Sequence, residues 1–240
     1  MNKVAIIMAQ WNRQFNFKRT IDDLNTQTYK KFDLFLWNND PKQSHFLENG
    51  VKNARGYKVH IVNSEENKFG FGRFLMARLL VNDKIDGFKG ECYESIIFFD
   101  DDQILSPEFV EDMVNHFEKK SYKGGYAFRI KNDNYRSRVR SGDGGDADYI
   151  GTCGAIIDPE IFKNDDFFDT YLPDEDVYWL EDIALTLYCK KIGWKTLGTP
   201  RRYVGKMFPK GRGRRGQFNI RGGFPPKVKG YKKLKTHYLG

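Results

Sequence analysis

The chain has 240 residues, of which 40% are hydrophobic and 15% aromatic, so it is long enough to bury a core and too apolar for an intrinsically disordered protein. Its three cysteines, Cys92, Cys153 and Cys189, are scattered, which argues against a disulfide framework or a cysteine metal site and favours a reducing compartment. The formal net charge is +8. The sequence shows no signal peptide and no run near the roughly 20 apolar residues that span a bilayer. We therefore expect a soluble, cytoplasmic protein without a transmembrane segment.

Apolar periodicity predicts strands and helices that alternate through most of residues 1–130. The predicted strands cover residues 3–9, 32–37, 57–62, 95–99, 125–130, 149–157 and 194–197. Helices are predicted from Phe17 to about Gln27, over residues 74–82, from Ser106 to Lys120, and over residues 180–191. Residues 42–56 and 131–148 have the composition of polar loops. The alternation is typical of βαβ units, so we predict an α/β fold with a mostly parallel central sheet flanked by helices.

An unbroken apolar run, residues 95–99, ends directly in three carboxylates, Asp100, Asp101 and Asp102. The run predicts a strand buried on both faces, and ligands of open α/β sheets bind outside the carboxyl ends of such strands. Three adjacent anions repel one another unless a positive charge joins them. Carboxylate oxygens suit Mg²⁺ or Mn²⁺, ions that often share substrate phosphates as ligands. The alternative is an acidic turn in which an aspartate caps the helix that starts at Ser106.

Two further predicted strands end in polar clusters, Gln10-Trp11-Asn12-Arg13 and Asn38-Asn39-Asp40. Together with QTYKKFD at residues 27–33, the three aspartates and the later pair Glu181-Asp182, these segments resemble the inverting GT-A glycosyltransferases of the family-2 type. Their pattern has a strand ending in Tyr-Asn, a Gln-Thr/Ser-Tyr/Phe stretch, an Asp-Asp pair, a DxD motif and a late Glu-Asp pair. The resemblance covers residues 1 to about 200.

The resemblance implies a GT-A domain over residues 1–200, with a nucleotide-sugar-binding half at 1–102 and an acceptor half at 103–200. A basic C-terminal segment, residues 201–240, follows it. The implied reaction is direct displacement of a nucleoside diphosphate by an acceptor hydroxyl. The resemblance places Mn²⁺ or Mg²⁺ on Asp100 and Asp102, where the ion stabilises charge on the leaving diphosphate, and it makes Asp100 and Asp101 donor contacts.

The late acidic pair, Glu181 and Asp182, opens a predicted helix. In the resembling family the aspartate of this pair is the general base that takes the proton of the acceptor hydroxyl. We therefore expect Asp182 to be the base and Glu181 to be its neighbour in the catalytic site. The alternative is that both acids merely favour the positive end of the helix dipole.

Donor contacts are expected where the first two strands end. Asn38 and Asn39 stand where the family usually has two aspartates, and an amide both accepts and donates hydrogen bonds. Because an amide oxygen can still accept a hydrogen bond from uracil, a UDP sugar is expected. Because the amide can also donate, a donor with a different base is less strongly excluded than it is with two aspartates. Arg73 and Arg78 are candidates for the diphosphate, with a solvated position as the alternative for Arg78. The other candidates for nucleoside contact are Ala9, Gln10, Asn12, Arg13 and Asp40.

Charge is distributed unevenly along the chain. Residues 201–240 carry thirteen Lys or Arg and no acid, whereas residues 1–200 carry a net charge of −5. A block of one sign usually marks a segment that binds a polyanion. Its interleaved aromatic residues suit nucleic acid, while an anionic membrane surface and a merely solvated tail are the alternatives. The bases expected to reach the donor or a polyanion are Arg201, Lys206, Arg212, Arg214 and Arg215.

Two functions of different class follow. In the first, a metal-dependent glycosyltransferase acts on a glycan or on a polyanion, such as the hydroxymethylated DNA that some bacteriophages glycosylate, with Gly151 and Thr152 shaping the acceptor floor. In the second, a nucleic-acid-binding protein or nucleotidyltransferase uses the same carboxylates for metal-assisted phosphoryl transfer.

Overall fold

A computed structural model describes residues 3–13, 16–171, 177–200 and 224–240. Its strands are β1 (Val4–Gln10), β2 (Phe32–Asn38), β3 (Val59–Asn63), β4 (Ser95–Phe98), β5 (Ser121–Gly124), β6 (Ala127–Ile130), β7 (Arg138–Arg140), β8 (Tyr149–Ile150), β9 (Ala155–Ile157) and β10 (Lys195–Gly198). A seven-stranded sheet has the order β10-β5-β9-β4-β1-β2-β3, and β9 pairs antiparallel with β4 and β5 whereas the other pairings are parallel. A smaller antiparallel sheet has the order β7-β6-β8.

The central sheet separates two apolar cores. Ile7 and Phe98 lie in one core, and their chain neighbours Ile6 and Ile97 lie in the other, because successive side chains of a strand point to opposite faces. Every residue of β1 and β2 is buried, as their nearly continuous apolar sequences predicted. The prediction of an α/β fold with a mostly parallel central sheet is therefore confirmed.

Helices cover both faces of this sheet. They are α1 (Phe17–Asn25), α2 (Ser44–Val51), α3 (Gly72–Val81), α4 (Phe109–Asn115), α5 (Asp165–Asp169), α6 (Glu181–Lys191) and α7 (Phe224–Leu239). The predicted helices near residues 17, 74 and 181 correspond to α1, α3 and α6. Within the described ranges, no helix combines the length and the apolar character that crossing a bilayer requires.

Several predicted elements were wrong. The predicted loop at 42–56 contains α2, whose apolar signal is weak because it buries little more than Leu47. The helix predicted from Ser106 begins only at Phe109, and the Ser106 hydroxyl is buried without a partner instead of capping it. The predicted strand 149–157 is two strands, β8 and β9, that belong to different sheets. Strand β5 was missed.

The C-terminal helix α7 was also not predicted, and it packs against α6 and the core beneath it. Tyr231, Leu234 and Tyr238 recur at helical spacing and are at most 4% exposed. The ring of Tyr231 lies 5.8 Å from that of Tyr135, and the ring of Tyr238 lies 6.0 Å from that of Tyr188. The end of the basic segment therefore shares a core with the rest of the fold.

We predict that Leu234→Ala lowers the free energy of unfolding by about 2–4 kcal/mol, because it removes a fully buried side chain between α7 and the body. Denaturant titration measures this change. Lys232→Ala, which alters an exposed position of the same helix, should stay within about 0.5 kcal/mol of the unmodified chain. Equal stabilities for the two variants would show that α7 does not dock.

Candidate active site at the carboxyl edge of the sheet

Parallel pairing brings three strand ends together at one edge of the sheet. Gln10 at the end of β1 is in register with Asn38 at the end of β2, and Ile7 of β1 is in register with Phe98 at the end of β4. Asp100, Asp101 and Asp102 follow β4 directly. The polar clusters that the sequence placed after separate strands therefore meet at one edge.

Arg13 holds two of the three aspartates. Its Nη1 donates to Asp101 Oδ1 at 2.7 Å and to Asp102 Oδ2 at 2.8 Å, and the backbone N–H of Trp11 donates to Asp101 Oδ2 at 3.3 Å. Between these two residues, Asn12 has a φ of 63°, a left-handed conformation that asparagine tolerates better than most residues. Burial raises the pKa of Asp101 to about 6, against the opposing attraction of Arg13.

Arg73 of α3 links Asp100 to the later acidic pair. Its Nη1 donates to Asp100 Oδ1 at 2.9 Å, and its buried guanidinium is attracted to Glu181 and Asp182 as well. Burying an arginine is costly unless carboxylates surround it. The structure thus brings the predicted metal-binding and catalytic acids together around one buried cation.

Glu181, the first residue of α6, is enclosed. It packs against Gly70, where an added Cβ would overlap its carboxylate. Burial, with repulsion from Asp182 as the next cause, raises the pKa of Glu181 to about 8. This carboxyl group therefore carries a proton near neutral pH.

Asp182 is held in a defined orientation. Its Oδ2 accepts a hydrogen bond from the Tyr149 hydroxyl at 2.7 Å, and its Oδ1 accepts one from the Ile183 N–H at 2.9 Å. Burial, followed by the negative charge of Asp182, raises the pKa of Tyr149 well above its ordinary value. Tyr149 therefore stays a proton donor to this carboxylate.

The acidic edge is the group of carboxylates at the carboxyl end of the sheet, namely Asp100, Asp101, Asp102, Glu181 and Asp182. One of its oxygen atoms supports the binding of a divalent cation. Asp102 Oδ1 is buried and has no hydrogen-bond partner among the residues that the structure describes, which is costly for a carboxylate oxygen unless a ligand completes it. Within the described ranges no group of three or more Asp, Glu, His or Cys side chains is arranged to hold a metal. Asp100 and Asp102 would thus offer two carboxylates and leave the other positions to water and phosphate, as Mg²⁺ sites commonly do.

Among the residues predicted to contact the nucleoside, Gln10 has an unusual environment. Its side chain is fully buried at the end of β1, and neither its amide nitrogen nor its amide oxygen has a hydrogen-bond partner among the described residues. A buried amide of this kind lacks the partners that native structures almost always supply. The preceding residue, Ala9, is also buried.

The two asparagines at the end of β2 support loops. Asn38 donates from Nδ2 to Asn63 Oδ1 at 2.8 Å, and its Oδ1 accepts from the Asp40 N–H at 3.1 Å. Asn39 accepts from the Lys68 N–H at 2.8 Å and donates to the Phe69 carbonyl at 3.0 Å. Their contact with a base stays a prediction.

The remaining candidates divide by position. Thr152 is buried and lies beside the acidic edge, with its Oγ1 at 3.5 Å from Asp100 Oδ1. Gly151 precedes it in the chain and packs against Tyr126. Arg78 instead pairs with Asp165 at 2.5 Å on the surface of α3, so the structure does not bring it to the acidic edge. Arg201, Lys206, Arg212, Arg214 and Arg215 lie outside the described residues.

Sequence reasoning missed three contributors to the site. Tyr149 was treated only as the start of a strand, and Gln103, which closes the turn by accepting from the Asp100 N–H at 2.7 Å, was not considered. Lys227 of α7 lies 5.8 Å from the ring centroid of Tyr149 and is attracted to the acidic pair, but it was counted only as one basic residue among thirteen. A predicted helix over residues 224–239 would have placed Lys227 on an ordered element of the fold.

Comparison with known proteins agrees with this geometry. The model of the family described as glycosyl transferase family 2 matches residues 5–144, more than half of the chain. The chain belongs to this family of glycosyltransferases. A search of curated proteins finds no match.

Solved structures with similar folds are glycosyltransferases of the GT-A type. The mannosyltransferase PcManGT from Pyrobaculum calidifontis, in complex with GDP-Man and Mn²⁺, has a TM-score of 0.63 at 12% identity, over 99% of this chain and 70% of that one. S. aureus TarS 1–349 in complex with UDP has a TM-score of 0.56 at 15% identity, over 84% of this chain. GalNAc-T7 with UDP, GalNAc and Mn²⁺ has a TM-score of 0.56 at 13% identity, over 98% of this chain and 48% of that one. The chain spans 59% of the TarS fragment.

The burial of Glu181 makes stability depend on pH. Its pKa is about 8 in the folded protein and near 4.5 when unfolded, so the folded state binds more protons between these values and stability falls as the pH rises through that window. We predict that, as the pH is raised from about 5 to about 8, the free energy of unfolding falls less for Glu181→Gln than for the unmodified chain.

Urea unfolding in the presence of a chelator measures this difference without interference from metal. Glu48→Gln, on the exposed surface of α2, should follow the unmodified chain. Parallel pH dependences for the Glu181 variant and the unmodified chain would contradict a protonated buried Glu181.

Proposed function

We propose that this protein is a metal-dependent, inverting glycosyltransferase that moves a sugar from a nucleoside-diphosphate sugar to an acceptor hydroxyl. The observation that carries the proposal is the single acidic edge described above. There, Asp100 meets Glu181 and Asp182 around the buried Arg73, and Arg13 holds the adjacent Asp101 and Asp102. Membership of glycosyl transferase family 2 supports the same reaction class.

Asp100 and Asp102 are the residues proposed to hold Mn²⁺ or Mg²⁺. The unpartnered Asp102 Oδ1 supports this role, and Mn²⁺ is present in the structures of PcManGT and GalNAc-T7. When bound, such an ion neutralises charge that develops on the leaving diphosphate. Arg13 and Arg73 restrain the same carboxylates from the protein side.

Asp182 is proposed as the general base rather than Glu181. The hydrogen bonds from Tyr149 and the Ile183 N–H orient its carboxylate, whereas burial raises the pKa of Glu181 and favours the protonated form of that enclosed side chain. The acceptor hydroxyl gives its proton to Asp182 as its oxygen bonds to the anomeric carbon. The bond from that carbon to the diphosphate breaks on the opposite side, which inverts the configuration.

Gln10 is proposed to bind the base of the donor. A uracil ring presents both a hydrogen-bond donor and acceptors, and the Gln10 amide offers the complementary pair. UDP in the TarS structure supports a UDP sugar, while GDP-Man in PcManGT keeps a guanine donor as the second option.

The acceptor is proposed to be a glycan or a hydroxyl on a polyanion such as hydroxymethylated DNA. Exposed arginines of the small sheet and its loops, together with lysines of α7, support a polyanion, because clustered positive charge attracts phosphate. The exposed arginines are Arg129, Arg136 and Arg140. A cytoplasmic location stays a prediction.

We predict that the purified protein with Mn²⁺ releases a nucleoside diphosphate from at least one of UDP-glucose, UDP-N-acetylglucosamine, UDP-N-acetylgalactosamine and GDP-mannose. Chromatography of the nucleotide products separates this outcome from release of pyrophosphate. Pyrophosphate from a nucleoside triphosphate would instead support the nucleotidyltransferase hypothesis.

We predict that Asp182→Asn lowers turnover of the active donor by at least about 100-fold, because it removes the proton acceptor. Donor affinity should persist, since Asp182 is not proposed to touch the nucleotide, and thermal stabilisation by the nucleoside diphosphate with Mn²⁺ measures it. Asp165→Asn, at an exposed position of α5, should retain full turnover. Undiminished turnover in the Asp182 variant would mean that another group is the base.

A further inference from the structure

The C-terminal helix places one lysine over the ring of Tyr149, the residue that hydrogen-bonds the proposed base. Lys227 Nζ lies 5.7 Å from the ring centroid of Trp179, 5.8 Å from that of Tyr149 and 5.9 Å from that of Tyr135. Tyr149 is the residue whose hydroxyl donates to Asp182. Ammonium groups are attracted to aromatic faces at such distances, and more strongly where water is excluded.

The surroundings of Lys227 favour its charged form. Burial by itself lowers the pKa of a lysine, yet attraction to Asp182, Tyr135 and Glu181 outweighs burial and raises the pKa of Lys227. The arrangement resembles that of Arg73, which meets the same acidic pair from α3. A buried arginine and a half-buried lysine therefore interact with Glu181 and Asp182 from different elements.

Independent contacts fix the helix that carries Lys227. Leu234 is buried against the core, Lys235 pairs with Asp133, and His237 Nε2 lies 2.7 Å from the Thr170 carbonyl oxygen. Lys227 is thus held in place by the anchored helix. It lies far beyond residues 5–144, which the family model matches.

We propose that Lys227 is a positioning residue of the active site, whose ammonium group compensates the charge of Asp182 and packs on Tyr149, the residue that orients this carboxylate toward the acceptor's proton. The inference rests on the proposed glycosyl transfer and assigns a role in it to the C-terminal helix. Arg73 of α3 is a second cation that is attracted to Asp182. The charged or titratable groups that interact with Asp182 are Arg73, Tyr122, Tyr135, Tyr149, Tyr171, Glu181 and Lys227.

The first test is the pH profile of donor turnover in full-length Lys227→Met. Removing a cation near a carboxylate raises the carboxylate's pKa, so the acid limb of kcat/KM should move up by about one pH unit or more. Lys227→Arg keeps the charge and should retain the original limb. Lys232→Met, on the exposed side of the same helix, controls for general loss of positive charge. An unmoved limb in a folded Lys227→Met protein overturns the proposal.

The second test needs no turnover and therefore separates this proposal from the proposed function. Thermal unfolding is compared for Lys227→Met, Asp182→Asn and the double variant. If the ammonium compensates the Asp182 charge, Lys227→Met should lower the midpoint by at least about 2 °C more when Asp182 is present than when it is asparagine.

A Lys227→Met chain too unstable to fold should likewise regain folding in the Asp182→Asn background. Strictly additive midpoints, or no recovery, would overturn the role of Lys227. Absence of donor turnover in the unmodified chain, with the charge coupling intact, would overturn only the proposed function.

Discussion

The pairing of carboxylates with two arginines, the half-buried Arg13 and the buried Arg73, is the interaction on which the rest of this site depends. Asp101 and Asp102 share Arg13, and Asp100 pairs with Arg73. Adjacent aspartates at the end of a buried strand would otherwise repel one another and favour protonation. The pKa values of Asp101 and Asp102 nevertheless remain raised, chiefly because burial disfavours their charged forms and, next to burial, because neighbouring aspartates repel them. The site is therefore still electrostatically receptive to a further cation.

The fold explains why these groups meet. Parallel strands β1, β2 and β4 end at one edge, so three short segments of chain supply donors and acceptors to one place. Helices α3 and α6 then add Arg73, Glu181 and Asp182, and the closely packed Gly70 allows Glu181 to approach. Helix α7 adds Lys227 from the far end of the chain. The local sequence determines each strand and helix, and the packing of elements distant in the chain sets the distances between their charged side chains.

Sequence alone predicted the sheet, the three aspartates and the acidic pair because each has a local signal. The apolar runs of β1, β2 and β4 are buried on both faces, and α6 has apolar residues on a helical period. The role of Arg13 could not be predicted, because its partners lie 88 and 89 residues further along the chain. Helix α7 was missed for a different reason: its dense positive charge obscured Tyr231, Leu234 and Tyr238, whose spacing does predict a helix. The different roles of Glu181 and Asp182 likewise depend on how deeply each side chain is buried, which cannot be read from two neighbouring acidic residues in the sequence.

The most direct test of the acidic edge is a crystal of the protein soaked with Mn²⁺ and UDP, examined for anomalous scattering from manganese. The account predicts a manganese peak bound by carboxylate oxygens of Asp100 and Asp102, including Asp102 Oδ1, and by diphosphate oxygens. A structure in which the diphosphate binds without manganese, with the three aspartates still paired only to Arg13 and Arg73, would contradict it.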